Sequence, residues 1–331
     1  MDLSQYSVRT DLALEAREMA TQKLGDNIPG VHTETIRDED MILTRMDIVS
    51  EEGEKAVGKM RGHYVTIEVP RLRQKDSNLQ QRVTMRFAQE FAAFLDKIGI
   101  PKTAKVLIIG LGNWNVTPDS LGPLVVENVL VTRHYFELMP EKIGPGYRQV
   151  SAVAPGVLGT TGIETGEIVQ GIVEKSKPDL VIAIDALASK ALERVNTTIQ
   201  IADTGIHPGS GVGNKRKGLT ASFLGVPVIA IGVPTVVYAS TIVSSTMDML
   251  LNHFKKHTEN TDRIFGLLDS LNENERLQMV REVLEPVGHN LLVTPKDIDQ
   301  FIEDMANIIA GGLNAALHEA IDENNIAAYT H

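Results

Sequence analysis

The stretch Lys105–Pro123, KVLIIGLGNWNVTPDSLGP, decides the fold. Val106-Leu107-Ile108-Ile109 is an unbroken apolar run, the pattern of a parallel strand covered on both faces. Gly110-Leu111-Gly112-Asn113 turns the chain. Pro118-Asp119-Ser120 then leads into an apolar segment, Leu121 to Leu138, read as one helix. Asp119 is thereby set beyond the carboxyl end of a buried strand, where open α/β sheets place their ligands. A second segment repeats the arrangement: Leu180-Val181-Ile182-Ala183-Ile184 runs into Asp185, and the helix-forming ALASKALERV follows. The expectation is that these two carboxylates face each other across one cleft.

Outward from this stretch, strands and helices alternate. Strands are expected at 105–110, 149–153, 179–184, 197–202 and 226–231, with helices at 121–138, 164–176, 186–194 and from about Thr235 to His257. This alternation predicts an α/β fold with a mostly parallel central sheet and helices on both faces. Upstream, Met41 to Ile48 and His63 to Val69 read as antiparallel strands of a small side sheet, joined by the acidic stretch Glu51 to Gly62. A short helical pattern runs from Leu12 to Leu24. Ser77 is expected to cap a helix through Lys97, with Phe87, Phe91, Phe94 and Leu95 on one buried face. Helices near 272–284 and 295–319 make a helical C-terminal region. No repeat or linker divides the chain.

The 331 residues, 43% hydrophobic and 5% aromatic, describe a protein with an aliphatic core. No apolar run reaches the roughly 20 residues that span a bilayer, and no signal peptide opens the sequence. The absence of cysteine excludes disulfides, a cysteine nucleophile and cysteine-bound zinc, and fits a cytoplasmic, reducing setting. A net charge of −11 argues against nucleic acid as a direct ligand.

Each candidate has a plain structural explanation beside it. Asp119 and Asp185 both suit a helix N-cap, and Pro123 suits a first turn. The functional reading rests on their equivalent places in two βα units. Two close carboxylates share a proton, so one can deprotonate water while the other protonates the leaving group. The same pair would also suit a metal. A second Gly-rich stretch, Asp203 to Asn214, carries four glycines and His207; it reads either as a surface loop or as a backbone nest in which His207, Gly209, Ser210 and Gly211 contact substrate or an oxyanion. It is no P-loop, because Asn214 and Arg216 stand where Gly and Ser or Thr are required. Asn115 replaces the third glycine of a dinucleotide fingerprint, and Ser210 lacks the glycines two residues to either side that a nucleophile elbow needs. No cofactor is expected. A binding protein on a nucleotide-type fold would need the phosphate-binding pattern that is missing.

Three segments together, GLGNWNVTPDSLGP, AIDALASKALERVNTTIQIADTGIHPGSGVGNKR and PGVHTETIRDEDMILTRMDI, resemble germination protease, an endopeptidase family of spore-forming bacteria. The resemblance spans nearly the whole chain. It implies an atypical aspartic-type endopeptidase that cuts small acid-soluble spore proteins in the spore core, is made as a zymogen, and works as a homotetramer without membrane or nucleic-acid partners. The family's catalytic pair falls on Asp119 and Asp185. The turn and its carboxylate are also similar to the hydrogenase-maturation endopeptidases, whose two acids and a His bind nickel. No His here aligns with that third ligand, and a metal-dependent maturation endopeptidase stands as the alternative. In the germination family, substrates are cut after an acidic residue followed by a large apolar one, and Thr10-Asp11-Leu12-Ala13-Leu14-Glu15 imitates that setting. The same residues also suit a helix start. Self-processing between Asp11 and Leu12 is therefore expected, dividing the chain into a propeptide, 1–11, and one α/β endopeptidase domain, 12–331.

Overall fold

The computed structural model describes residues 8–206, 218–257, 273–284, 290–322 and 325. In chain order the elements are α1 (Ala13–Leu24), β1 (Val31–Arg37), β2 (Ile42–Ile48), α2 (Glu51–Val57), β3 (Gly62–Glu68), α3 (Ser77–Lys97), β4 (Val106–Gly110), α4 (Leu121–Asn128) and α5 (Arg133–Leu138). There follow β5 (Val150–Val153), α6 (Leu158–Thr161), α7 (Thr165–Ser176), β6 (Leu180–Ser189), β7 (Thr198–Ala202), α8 (Ala221–Leu224) and β8 (Val228–Tyr238). The described chain closes with α9 (Ala239–His257), α10 (Glu273–Leu284), β9 (Leu292–Val293) and α11 (Ile298–Leu317).

Nine strands form one sheet in the order β1-β2-β3-β7-β8-β6-β4-β5, with β9 pairing β8. The βα alternation yields the expected parallel block: β4 pairs in parallel with β5 and β6, and β6 with β8. The upstream strands are antiparallel, as expected, but they do not stand apart. β3 pairs antiparallel with β7, and β7 with β8, so the two blocks share one continuous ladder.

One face of the sheet is covered by α3, α4 and α11. Phe87 and Phe91 are fully buried and stack at 5.8 Å, and Phe94 and Leu95 lie beside them as the helical spacing predicts. The other face carries two apolar clusters. One gathers Val169 and Val173 of α7 against Leu107, Ile109, Val181 and Ala183; the other packs α1 and α2 against Met46, Ile48 and Tyr64. Leu12 belongs to the first cluster and Ala13 to the second, so the N-terminal segment crosses between them.

Several local expectations change. The segment 186–194, rich in helix formers, continues β6 to Ser189 and ends in a 3-10 turn, because Ala186–Ser189 pairs with Val233–Val237. Intrinsic propensity yields to a ladder buried on both sides. The same pairing keeps Thr235 in β8, and α9 starts only at Ala239. The single helix 121–138 breaks after Asn128, where the Leu130 N–H donates to Asn314 Oδ1 (2.8 Å) and Thr132 N–H to the Val150 carbonyl (2.9 Å). Asp76, not Ser77, caps α3 by accepting from Asn78 and Leu79 N–H. Within 51–62 the chain forms α2, and β1 and β9 add strands that the sequence did not announce.

Candidate active site

The parallel strands end at a cavity of about 850 Å³ lined by Asp119, Asp185, Asp11, Lys59, Gln200 and Thr235. The two expected carboxylates therefore border one space.

Asp119 closes a 3-10 turn, Thr117–Asp119, directly after the Gly-rich turn of β4. It is not the cap of α4; Ser120 occupies that place and bonds the Thr117 carbonyl through Oγ at 2.9 Å. Three contacts fix the turn: Asn113 N–H donates to the Asp119 carbonyl (3.0 Å), Asp119 N–H to the Val116 carbonyl (2.7 Å), and Thr235 Oγ1 to the Pro118 carbonyl (2.7 Å). Gly112 has φ of 117°, and a Cβ there would lie 1.9 Å from the Asp119 carbonyl oxygen. Only glycine tolerates both the conformation and the approach.

Asp185 sits within β6, opposite Gly232 of β8, and is 8% exposed. It does not cap a helix. Side chains alternate along a strand, so Asp185 shares a face with Val181, Ala183 and Leu187, the face on which Leu12 packs. Its Oδ1 accepts from the Ala186 N–H at 2.9 Å.

β4 ends opposite Ile184, and the Ile184 carbonyl accepts from Leu111 N–H at 2.8 Å. Beyond that point, among the described residues, no strand covers this edge of β6. The N-terminal segment lies there instead. Asp11 N–H donates to the Ala188 carbonyl (2.9 Å), and Ala188 N–H donates to Asp11 Oδ2 (2.8 Å). Leu12 is fully buried, with Leu111, Leu187, Ile206 and Leu219 in its cluster. Ala13 N–H donates to Gln200 Oε1 at 2.6 Å. Gln200 pairs with Gly232, which pairs with Asp185, so the segment and Asp185 lie at one level of the sheet. Glu15 is 1% exposed and accepts from Lys190 N–H (2.6 Å) and Ala191 N–H (2.9 Å).

Lys59 follows the left-handed Gly58 that ends α2 and donates from Nζ to the carbonyls of Asp11 (2.9 Å) and Thr10 (3.3 Å). Burial lowers its pKa from the ordinary lysine value, and the charges of Asp11 and Glu15 oppose that shift. Tyr64, also on the wall, is pushed up to about 12, chiefly by burial, and its hydroxyl donates to the Met60 carbonyl at 2.6 Å.

His207, Gly209, Ser210 and Gly211 lie outside the described residues. The described residues Ile206 and Leu219 pair in an antiparallel bridge, and Thr204, Gly205 and Ile206 line the cavity. Among the described residues no group of three or more His, Asp or Glu side chains is gathered for a metal ion. No described helix is long and apolar enough to cross a membrane. Lys59, Gln200 and Thr235 were not foreseen. Lys59 lies in a stretch read as a connection, and nothing in its local pattern marks it.

The germination protease family profile matches residues 10–265 and 257–330. Germination proteases of Bacillus cytotoxicus and of Bacillus cereus strain B4264 are each 53% identical, and one from Bacillus anthracis strain A0248 is 52% identical. Each alignment covers 100% of this chain and 99% of the relative. Among solved structures, the NiFe hydrogenase maturation protease HycI from Thermococcus kodakarensis KOD1 is similar at 24% identity, over 40% of this chain and 74% of that one, with a TM-score of 0.27. A family profile running nearly end to end, and relatives more than half identical over their full length, lead to one conclusion: this chain belongs to the germination protease family and is a peptidase.

Proposed function

We propose that this peptidase is the endopeptidase that starts the breakdown of small acid-soluble spore proteins during germination, and that Asp119 and Asp185 activate water for it. The observation that carries the reading is that both carboxylates border a cavity whose edge already holds Thr10–Glu15, a segment resembling the family's cleavage sequence. One carboxylate takes a proton from water, which attacks the peptide carbonyl, and the other protonates the departing amine. The chain is a zymogen that cuts itself between Asp11 and Leu12, releasing residues 1–11 from the domain 12–331. It acts in the spore core as a homotetramer, a state that sedimentation of the purified protein tests.

The deciding experiment incubates wild type, Asp119→Asn and Asp185→Asn with an acid-soluble spore protein, with and without EDTA, and reads cleavage by mass spectrometry. Both variants are expected to be inactive and EDTA without effect. Activity abolished by EDTA and restored by added metal replaces the carboxylate pair with metal-activated water. A variant that keeps wild-type activity removes its aspartate from the mechanism.

A further inference from the structure

We propose that Lys59 is the residue that polarises the scissile carbonyl and stabilises the oxyanion formed on it, a role that deepens and rests on the peptidase reading of this cavity. The bond expected to be cut, Asp11–Leu12, is held by a separate contact on each of its parts. Ala188 takes the Asp11 N–H and its carboxylate, an apolar hole takes Leu12, and Gln200 takes the Ala13 N–H. The carbonyl oxygen between them is met by the Lys59 ammonium at 2.9 Å. That oxygen is where negative charge develops when water adds to a peptide.

The surroundings suit the task. Lys59 makes no ion pair among the described residues; its ammonium is directed at two carbonyl oxygens. Lys59 is half-buried, so its positive charge is less screened than in bulk water and acts more strongly on a nearby developing anion. The left-handed Gly58, whose N–H donates to the Glu54 carbonyl at 2.8 Å, fixes the backbone from which the side chain reaches.

In the step itself, water adds to the Asp11 carbonyl carbon as one aspartate removes its proton. The carbonyl π electrons move to oxygen, where Lys59 N–H groups stabilise them. They return as the bond to the Leu12 nitrogen breaks, and the second aspartate protonates that nitrogen. Lys59 keeps its protons throughout, and no further reactant is needed.

The absence of cysteine in the chain makes the test clean. Lys59→Cys introduces the sole thiol, and 2-bromoethylamine converts it to a side chain nearly isosteric with lysine, with the amine restored. Self-processing of the full chain is followed by intact mass, and folding by the thermal midpoint. The thiol form is expected to release residues 1–11 at least about 100-fold more slowly than wild type, the loss typical of removing an oxyanion donor. Aminoethylation is expected to return most of the rate at an unchanged midpoint. A purely structural role instead lowers the midpoint of the thiol form in step with its rate. Near wild-type processing by Lys59→Cys, a folded aminoethyl form as slow as the thiol, or maturation of wild type at another bond each overturns the proposal. The two readings fail separately: full activity in Asp119→Asn or Asp185→Asn overturns the aspartate pair, whereas full activity in Lys59→Cys overturns the role of Lys59.

Discussion

Glu15 and Arg194 meet at 3.4 Å, with side chains 1% and 13% exposed, and so tie the start of α1 to the turn after β6. Arg194 also holds Glu18 (2.6 Å) and Glu68 (2.8 Å); burial works against its charge, and these contacts more than offset it, raising its pKa. Glu15 in turn satisfies the Lys190 and Ala191 N–H groups. Glu15→Ala leaves both half-buried donors without this acceptor and removes one partner of Arg194. The expected loss is about 3 kcal/mol of stability, read by urea denaturation. Protease cleavage within residues 8–15 should appear well before global unfolding.

Gly112→Ala places a Cβ against the Asp119 carbonyl at a φ that alanine resists. The turn must move, and Asp119 with it. The expected outcome is a loss of about 2 kcal/mol or more in stability together with near-complete loss of proteolysis, measured by denaturation and by cleavage of a spore protein. A variant that retains full activity refutes the positioning argument.

Thr235→Val keeps the shape of a fully buried side chain and deletes one hydrogen bond, the one from Oγ1 to Pro118. Stability should fall by about 1 kcal/mol. Activity should fall by about tenfold, because the turn carrying Asp119 loses its tie to β8. Steady-state kinetics separate the two effects: kcat drops while KM stays near the wild-type value.

His318 is wholly buried, and burial pushes its pKa down from 6.5 to about 4; the Leu130 backbone pulls the other way and Arg148 adds to the fall. Its Nδ1 accepts the Arg148 N–H at 3.1 Å. Below about pH 6.5 the unfolded chain binds a proton that the folded chain refuses until about pH 4. Stability therefore declines as pH falls through that window, by about 3 kcal/mol in all. In His318→Asn, whose Oδ1 replaces Nδ1 as acceptor, the thermal midpoint should vary less over the same range.

What the sequence made legible was what local pattern controls. The apolar run 106–109 and the run 180–184 specify buried parallel strands, and Phe87, Phe91, Phe94 and Leu95 specify a helix face; each forms as read. What it hid depends on partners distant in the chain. ALAS at 186–189 has helix-forming composition and becomes strand because β8 lies beside it. The link between β3 and β7 joins residues more than a hundred positions apart. Lys59 reaches the cavity only because α2 folds over the N-terminal segment, so no spacing in the sequence could mark it.

The stretch of β6 beyond Ile184 has a further consequence for what can be cut. Ala188 offers a carbonyl to a backbone N–H and an N–H to a carboxylate one residue's breadth away. A residue in the middle of a helix has already committed its N–H to the carbonyl four positions earlier, and its side chain points away from that bond. Such a residue cannot take the place of Asp11. On the proposed reading that a substrate takes the place of Asp11, the edge is a conformational filter: a protein escapes while its target sequence is coiled and becomes vulnerable once that sequence is drawn out straight.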